Sequence, residues 1–199
     1  MQNKKSVYQL TISALLIALG ILIPFVMPRI TVGPASFTLA SHVPVFLAMF
    51  ISPFSAVVVS IGTAFGFFMT STPIIAMRAA SHLIFAVIGA YYLKKNPQIV
   101  FEPKKFLVFN LVIGVIHSAV ELVVIAVFFT MGNMPQTYYD QGFFMSIILL
   151  MGLGGFVHSF VDYSIAFYIA KTLAKSLKLP VFVAGKQKMQ KLTSKGLAQ

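Results

Sequence analysis

Apolar runs dominate the chain and are too long for strands. Residues 7–26, 37–51, 55–70, 74–93, 106–131 and 143–168 are nearly unbroken successions of Leu, Ile, Val, Phe, Ala and Met. A helix needs about 20 such residues to cross the hydrocarbon core of a bilayer, and several of the runs reach that length. Pro53 stands between the shorter second and third runs, in Ile51-Ser52-Pro53-Phe54-Ser55. A proline ends or breaks a helix, so this stretch reads either as two tight helices or as one broken long one.

The lysines decide between those readings. All thirteen fall in three places: Lys4 and Lys5; Lys94, Lys95, Lys104 and Lys105; and a series from Lys171 to Lys195. Short loops rich in Lys and Arg stay in the cytoplasm. Six spans put all three groups on that side, whereas merging the second and third runs would put the 94–105 loop outside. The expected fold is therefore an all-α integral membrane protein of six transmembrane helices with both termini cytoplasmic. It comprises one membrane domain, residues 1–183, and a basic cytoplasmic tail, 184–199, expected to be frayed. The outer loops, 27–36, the turn Ser71-Thr72-Pro73 and 132–142, carry only Arg29 and Asp140 as charges.

Composition narrows the function. With 58% hydrophobic and 10% charged residues, the chain is far more apolar than a soluble domain. Its net charge of +11 lies between and beyond apolar runs, unlike the one-faced basic patch of a nucleic-acid module. The absence of cysteine removes disulfides, thiolate nucleophiles and thiolate metal sites. Lys4 and Lys5 precede the first run as in a signal peptide, but no small-residue cleavage site stands out before Pro24, so a retained helix is expected. No phosphate-binding loop, zinc-protease helix or nucleophile elbow occurs. Nothing in the sequence points to an enzyme, and no cofactor is expected in this chain.

An ionisable group inside a span is costly and is by default a functional hypothesis. Arg78, Glu121 and Asp162 are such groups, and each has a histidine one helical turn away, His82, His117 and His158, on the same helix face. With about 1.5 Å of rise per residue, Arg78 and His82 come out roughly 6 and 12 Å from the outer end and Glu121 roughly 15 Å. These three are the candidate pocket. His117, His158 and Asp162 come out deeper and, with His42, are expected to hydrogen-bond between helices. Gly152, Gly154 and Gly155 lie at the depth of Glu121, where glycine lets a ligand or another helix come close; Gly152 and Gly155 are counted as candidate substrate-binding residues. Tyr138 and Tyr139 sit beside Asn133 in the last outer loop, where aromatic residues either mark the membrane interface or form a pocket lid; Asn133 and Tyr139 are counted as candidate substrate-binding residues. The competing view of Arg78 and Glu121 is a mutually neutralising pair that registers two helices. In the first helix Ala14 and Ala18 form a small-xxx-small ridge suited to close contact with another membrane helix.

Size, spans and the Ala14/Ala18 pair together resemble the substrate-binding S components of energy-coupling factor (ECF) vitamin transporters, over about residues 6–177. Residues 10–18, 34–42 and 78–82 look most like the niacin-specific member of that family. The resemblance implies a multi-pass protein of the bacterial cytoplasmic membrane that binds a vitamin among the outer halves of its last three helices. It also implies that Ala14 and Ala18 meet a membrane coupling subunit, and that two partner ATPase subunits use the ATP. Niacin is a carboxylate on a flat ring, which a planar guanidinium binds in bidentate fashion. Arg78 is the expected clamp, and Glu121 the group that orients Arg78 or His82. The chain has no tryptophan, so ring stacking falls to Phe, Tyr or His. An S component for another vitamin, a stand-alone carrier with a proton relay through His117, His158 and Asp162, and an intramembrane enzyme are the alternatives.

The topology is open to direct labelling. With single cysteines at positions 104 and 138, an impermeant thiol reagent added to intact cells should modify 138 and spare 104. The reverse pattern contradicts the orientation.

Overall fold

A computed structural model describes residues 2–33 and 35–196, and side chains within 7–33 and 35–194. Pro34, in one of the stretches quoted above, and the last three residues of the expected tail lie outside the described residues, as do the side chains of Lys4, Lys5 and Lys195.

The protein is an all-α membrane protein with one short hairpin. Five helical segments are long and apolar enough to cross a bilayer, namely Val7–Val26, Pro53–Thr70, Pro73–Lys95, Pro103–Thr130 and Phe144–Leu173. The first belongs to α1 (Gln2–Val26), and the next three are α3 (Pro53–Thr70), α4 (Pro73–Lys95) and α5 (Pro103–Thr130). The last joins a π-helical stretch, Phe144–Leu153, to α7 (Gly154–Leu173). Proline opens α3, α4 and α5, where its missing N–H costs nothing and its fixed φ suits the first turn. Ser52 caps α3 by accepting the Ser55 N–H at 3.0 Å.

The second apolar run does not form the expected helix over 37–51. Its start is β2 (Ala35–Thr38), paired antiparallel with β1 (Arg29–Val32) in the register Arg29↔Thr38 and Val32↔Ala35. A turn over residues 39–42 follows, and then the seven-residue α2 (Val43–Met49). Position and burial explain the difference. Val45, Phe46, Ala48, Met49 and Phe50 are at most 2% exposed, so the segment runs through the protein interior and not against lipid. Irregular backbone at membrane depth is tolerated where protein covers it.

Its open backbone groups must still be satisfied, and Asp162 of α7 does this. The Asp162 carboxylate, fully buried, accepts the Ala40 N–H at 2.8 Å, the His42 N–H at 2.9 Å and the His42 Nδ1–H at 3.1 Å. Ala40 adopts φ 64°, a left-handed conformation that costs a non-glycine residue about 1 kcal/mol, and the carboxylate holds it there. Gly154 admits the same segment from the side, since a Cβ there would come within 2.7 Å of Phe37 Cζ.

Beneath this turn the core is aromatic. Phe46 stacks on Tyr163 with ring centres 4.3 Å apart, and Phe106 on Phe167 at 3.8 Å. Phe50 joins them to Phe182 of α8 (Pro180–Gly196). The expected frayed tail is thus helical through Gly196. Val181 and Phe182 are buried, the Val181 N–H donates to the Phe50 carbonyl at 3.3 Å, and Lys188 Nζ donates to the Lys95 carbonyl at 3.2 Å. Tyr8 Oη donates to the Leu177 carbonyl. These contacts gather the start of α1, the turn Pro97–Phe101 and α8 at one end of the bundle. The hairpin, the α3–α4 turn and α6 (Gln136–Asp140) occupy the other.

Removing the Asp162 carboxylate leaves two buried backbone donors and an imidazole unpartnered, so Asp162→Ala should destabilise the protein by about 3–5 kcal/mol. Asp162→Asn, which keeps one acceptor oxygen, should fall between. Thermal unfolding in detergent followed by circular dichroism checks this order; equal midpoints for all three proteins would contradict it.

Candidate functional site

The hairpin end encloses a cavity of about 340 Å³, within the usual range for small-molecule sites. Four parts of the fold wall it. Ser36, Phe37, Thr38, Ser41 and His42 come from β2 and the turn after it; Phe67, Ser71, Thr72, Ile75, Arg78 and His82 from the α3–α4 hairpin; Glu121 and Ile125 from α5; Met134, Pro135, Tyr138, Met151 and His158 from the last loop and the π-helix–α7 span. Arg29 and Pro24 stand at its edge.

Arg78 and Glu121 face each other across α4 and α5. The guanidinium donates through Nε to Glu121 Oε1 at 3.3 Å and through one terminal nitrogen to Oε2 at 3.2 Å. This fork matches a carboxylate plane. His82 Nε2 donates to Glu121 Oε1 at 3.0 Å. Glu121 is 5% exposed, whereas the Arg78 side chain keeps 23%. One edge of the guanidinium is therefore committed to Glu121, and its second terminal nitrogen has no hydrogen bond among the described residues.

The expected division into an outer pocket and a deeper structural set gives way to one connected cluster. His42 is its hub, with ring centres 4.8 Å from His82, 4.6 Å from His117 and 4.9 Å from His158. His117 Nδ1 bonds Ser159 Oγ at 2.8 Å and so ties α5 to α7. His158 Nε2 bonds Ser41 Oγ at 3.1 Å. Helical rise alone does not anticipate this, because His42 sits on a turn that descends between the helices and the neighbouring imidazoles close around it.

Arg78, His82 and Glu121 thus line one cavity, and His42 and His158, expected from the sequence mainly to bond between helices, line it too. Four other candidates lie outside the lining. Gly152 packs on Leu122 and its carbonyl accepts from Ser118, and Gly155 faces Ser118; both serve the contact of α5 with the π-helix–α7 span. Asn133 is exposed. Tyr139 accepts the Met134 N–H at 3.2 Å and donates to the Phe129 carbonyl at 3.0 Å, which shapes the loop from behind while Tyr138 lines the cavity. Ala14 and Ala18 are exposed on α1, on a face opposite the buried Ser13, Leu16 and Gly20. Of the residues missed, Ser41 and His42 had a signal in the sequence, two polar residues inside an apolar run. Phe37, Thr38 and Met151 had none.

The fold and the cavity, with its cluster of ionisable side chains, define a multi-pass membrane protein with a candidate site at one end. The chain is 41% identical over 193 residues to the niacin transporter NiaX of Lactococcus lactis subsp. cremoris (strain MG1363), a match covering 96% of this chain and 86% of the relative. It belongs to the family of that transporter. No protein-family model matches the chain, and no solved structure matches it.

Proposed function

We propose that the chain is the niacin-binding S component of an ECF-type importer and holds its ligand in the cavity at the hairpin end. The observation that carries this reading is the cavity's position above a sealed core. Phe46, Phe50, Phe85, Phe106 and Tyr163 are at most 5% exposed and lie below it, so among the described residues an aromatic core separates it from the other end. A protein built this way captures a ligand and depends on partners to release it inward, which disfavours a stand-alone carrier.

The niacin carboxylate takes the uncommitted edge of the Arg78 guanidinium, while Glu121 holds the other edge and fixes the plane. Phe37, Phe67, Tyr138 and His158 offer faces for the ring, in keeping with a chain without tryptophan. The composite segment from Ala35 to Ser52 counts as the second of six crossings. The lysines at 94, 95, 104, 105 and 171–191 then share the end that holds the start of α1, and the positive-inside rule makes that end cytoplasmic. Ala14 and Ala18, exposed on α1, are the contact for a membrane coupling subunit, and two ATPase subunits supply the energy.

Titration of the purified protein with niacin and with nicotinamide tests the site. The amide has nearly the same shape without the charge, so the wild type should prefer the acid. Losing a charge-assisted hydrogen bond of about 1.5–3 kcal/mol should weaken niacin binding roughly 10- to 100-fold in Arg78→Met, with the preference for the acid reduced. Arg78→Lys should be intermediate, because it keeps the charge and loses the fork. Pairing Arg78→Met with Glu121→Leu should restore stability and not binding. Unchanged niacin affinity in a folded Arg78→Met protein would remove Arg78 from the site.

A further inference from the structure

The histidine cluster beneath the cavity is more than the hydrogen bonding of the fold requires. His42, His82, His117 and Glu121 are all buried, and one ligand-capable atom from each lies within 4.8 Å of all the others. Nitrogen and oxygen ligands about 2.0–2.2 Å from a tetrahedral zinc ion lie roughly 3.3–3.5 Å apart. His82 Nε2 and Glu121 Oε1 are 3.0 Å apart, and His117 Nε2 and Glu121 Oε1 3.8 Å, on either side of that spacing.

The outer partners point the same way. His42 donates its Nδ1–H to Asp162, which leaves Nε2 with a free lone pair. His117 engages Ser159 through Nδ1, and its Nε2, buried and aimed at Glu121, has no hydrogen-bond partner among the described residues. A carboxylate or hydroxyl on one ring nitrogen with the other left open is the usual outer shell of a metal-ligating histidine. Asp162 is already committed to two backbone N–H groups and His42, so it serves as an outer partner and not as a ligand.

We propose that His42, His82, His117 and Glu121 bind one divalent transition-metal ion, with Asp162 and Ser159 orienting His42 and His117. Imidazole with a single carboxylate and no thiolate suits zinc, cobalt or nickel and does not suit calcium or magnesium. The ion takes the place of the proton shared by His82 and Glu121. It lies at the floor of the cavity, since His42, His82 and Glu121 also line it.

The test uses the full-length protein in detergent, purified without a histidine tag and stripped with a chelator. Cobalt(II) titration should show one equivalent bound, with intense visible bands of low coordination number that zinc(II) abolishes. His117→Gln should weaken cobalt binding at least 100-fold. Ser159→Ala, which keeps every ligand, should weaken it about 10- to 100-fold in a protein whose circular dichroism spectrum shows that it is still folded. Absence of stoichiometric cobalt and zinc binding by the folded wild type overturns the site, as does binding of equal strength in wild type and Ser159→Ala.

Discussion

One buried carboxylate permits the architecture. Hydrocarbon offers nothing to an unpaired N–H, so a chain that abandons helix within a membrane must find its hydrogen bonds inside the protein. The stretch from Ala35 to Met49 is strand and turn as far as His42, and Asp162 supplies the acceptors that Ala40 and His42 would otherwise lack. The consequences spread outward. The turn can descend between the helices only because α7 brings a carboxylate to it, and the descent carries Ser41 and His42 to the centre of the bundle. There His42 meets the imidazoles of α4, α5 and α7. The fold of the second segment and the polar lining of the cavity are thus one feature.

A second buried carboxylate, paired with a guanidinium, completes the enclosure from the opposite wall. Arg78 and Glu121 neutralise each other across α4 and α5, which makes two intramembrane charges tolerable and holds those helices in register. Because only one edge of the guanidinium is engaged, the pair can hold helices together and still present a cation to the cavity. The structural and the functional view of these residues describe different edges of the same group.

Much of this was legible in the sequence. Long apolar runs fixed the five extended spans to within a few residues, and proline marked the starts of α3 and α4. The pairing of each intramembrane charge with a histidine one turn away pointed to Arg78, His82 and Glu121. The second run misled because hydrophobicity reports burial and does not distinguish lipid from protein interior. Phe46 and Phe50 are apolar because they are core, and nothing in their pattern requires a helix of membrane length. At Gly152 and Gly155 the sequence left a choice, because a small residue permits close approach by a ligand or by a helix, and here α5 is what approaches. The docking of α8 was hidden because Val181 and Phe182 are too few to stand out beside a run of lysines.

The central claim is that niacin is held at the hairpin end, against the turn that Asp162 supports. Hydrogen–deuterium exchange of the protein in lipid nanodiscs, with and without niacin, tests it most directly. The account predicts slower exchange on niacin binding in residues 36–42, 71–78 and 134–138, with no change in 97–101 or 180–194 at the opposite end. Protection confined to the 97–101 and 180–194 segments, or none in 36–42, would contradict it.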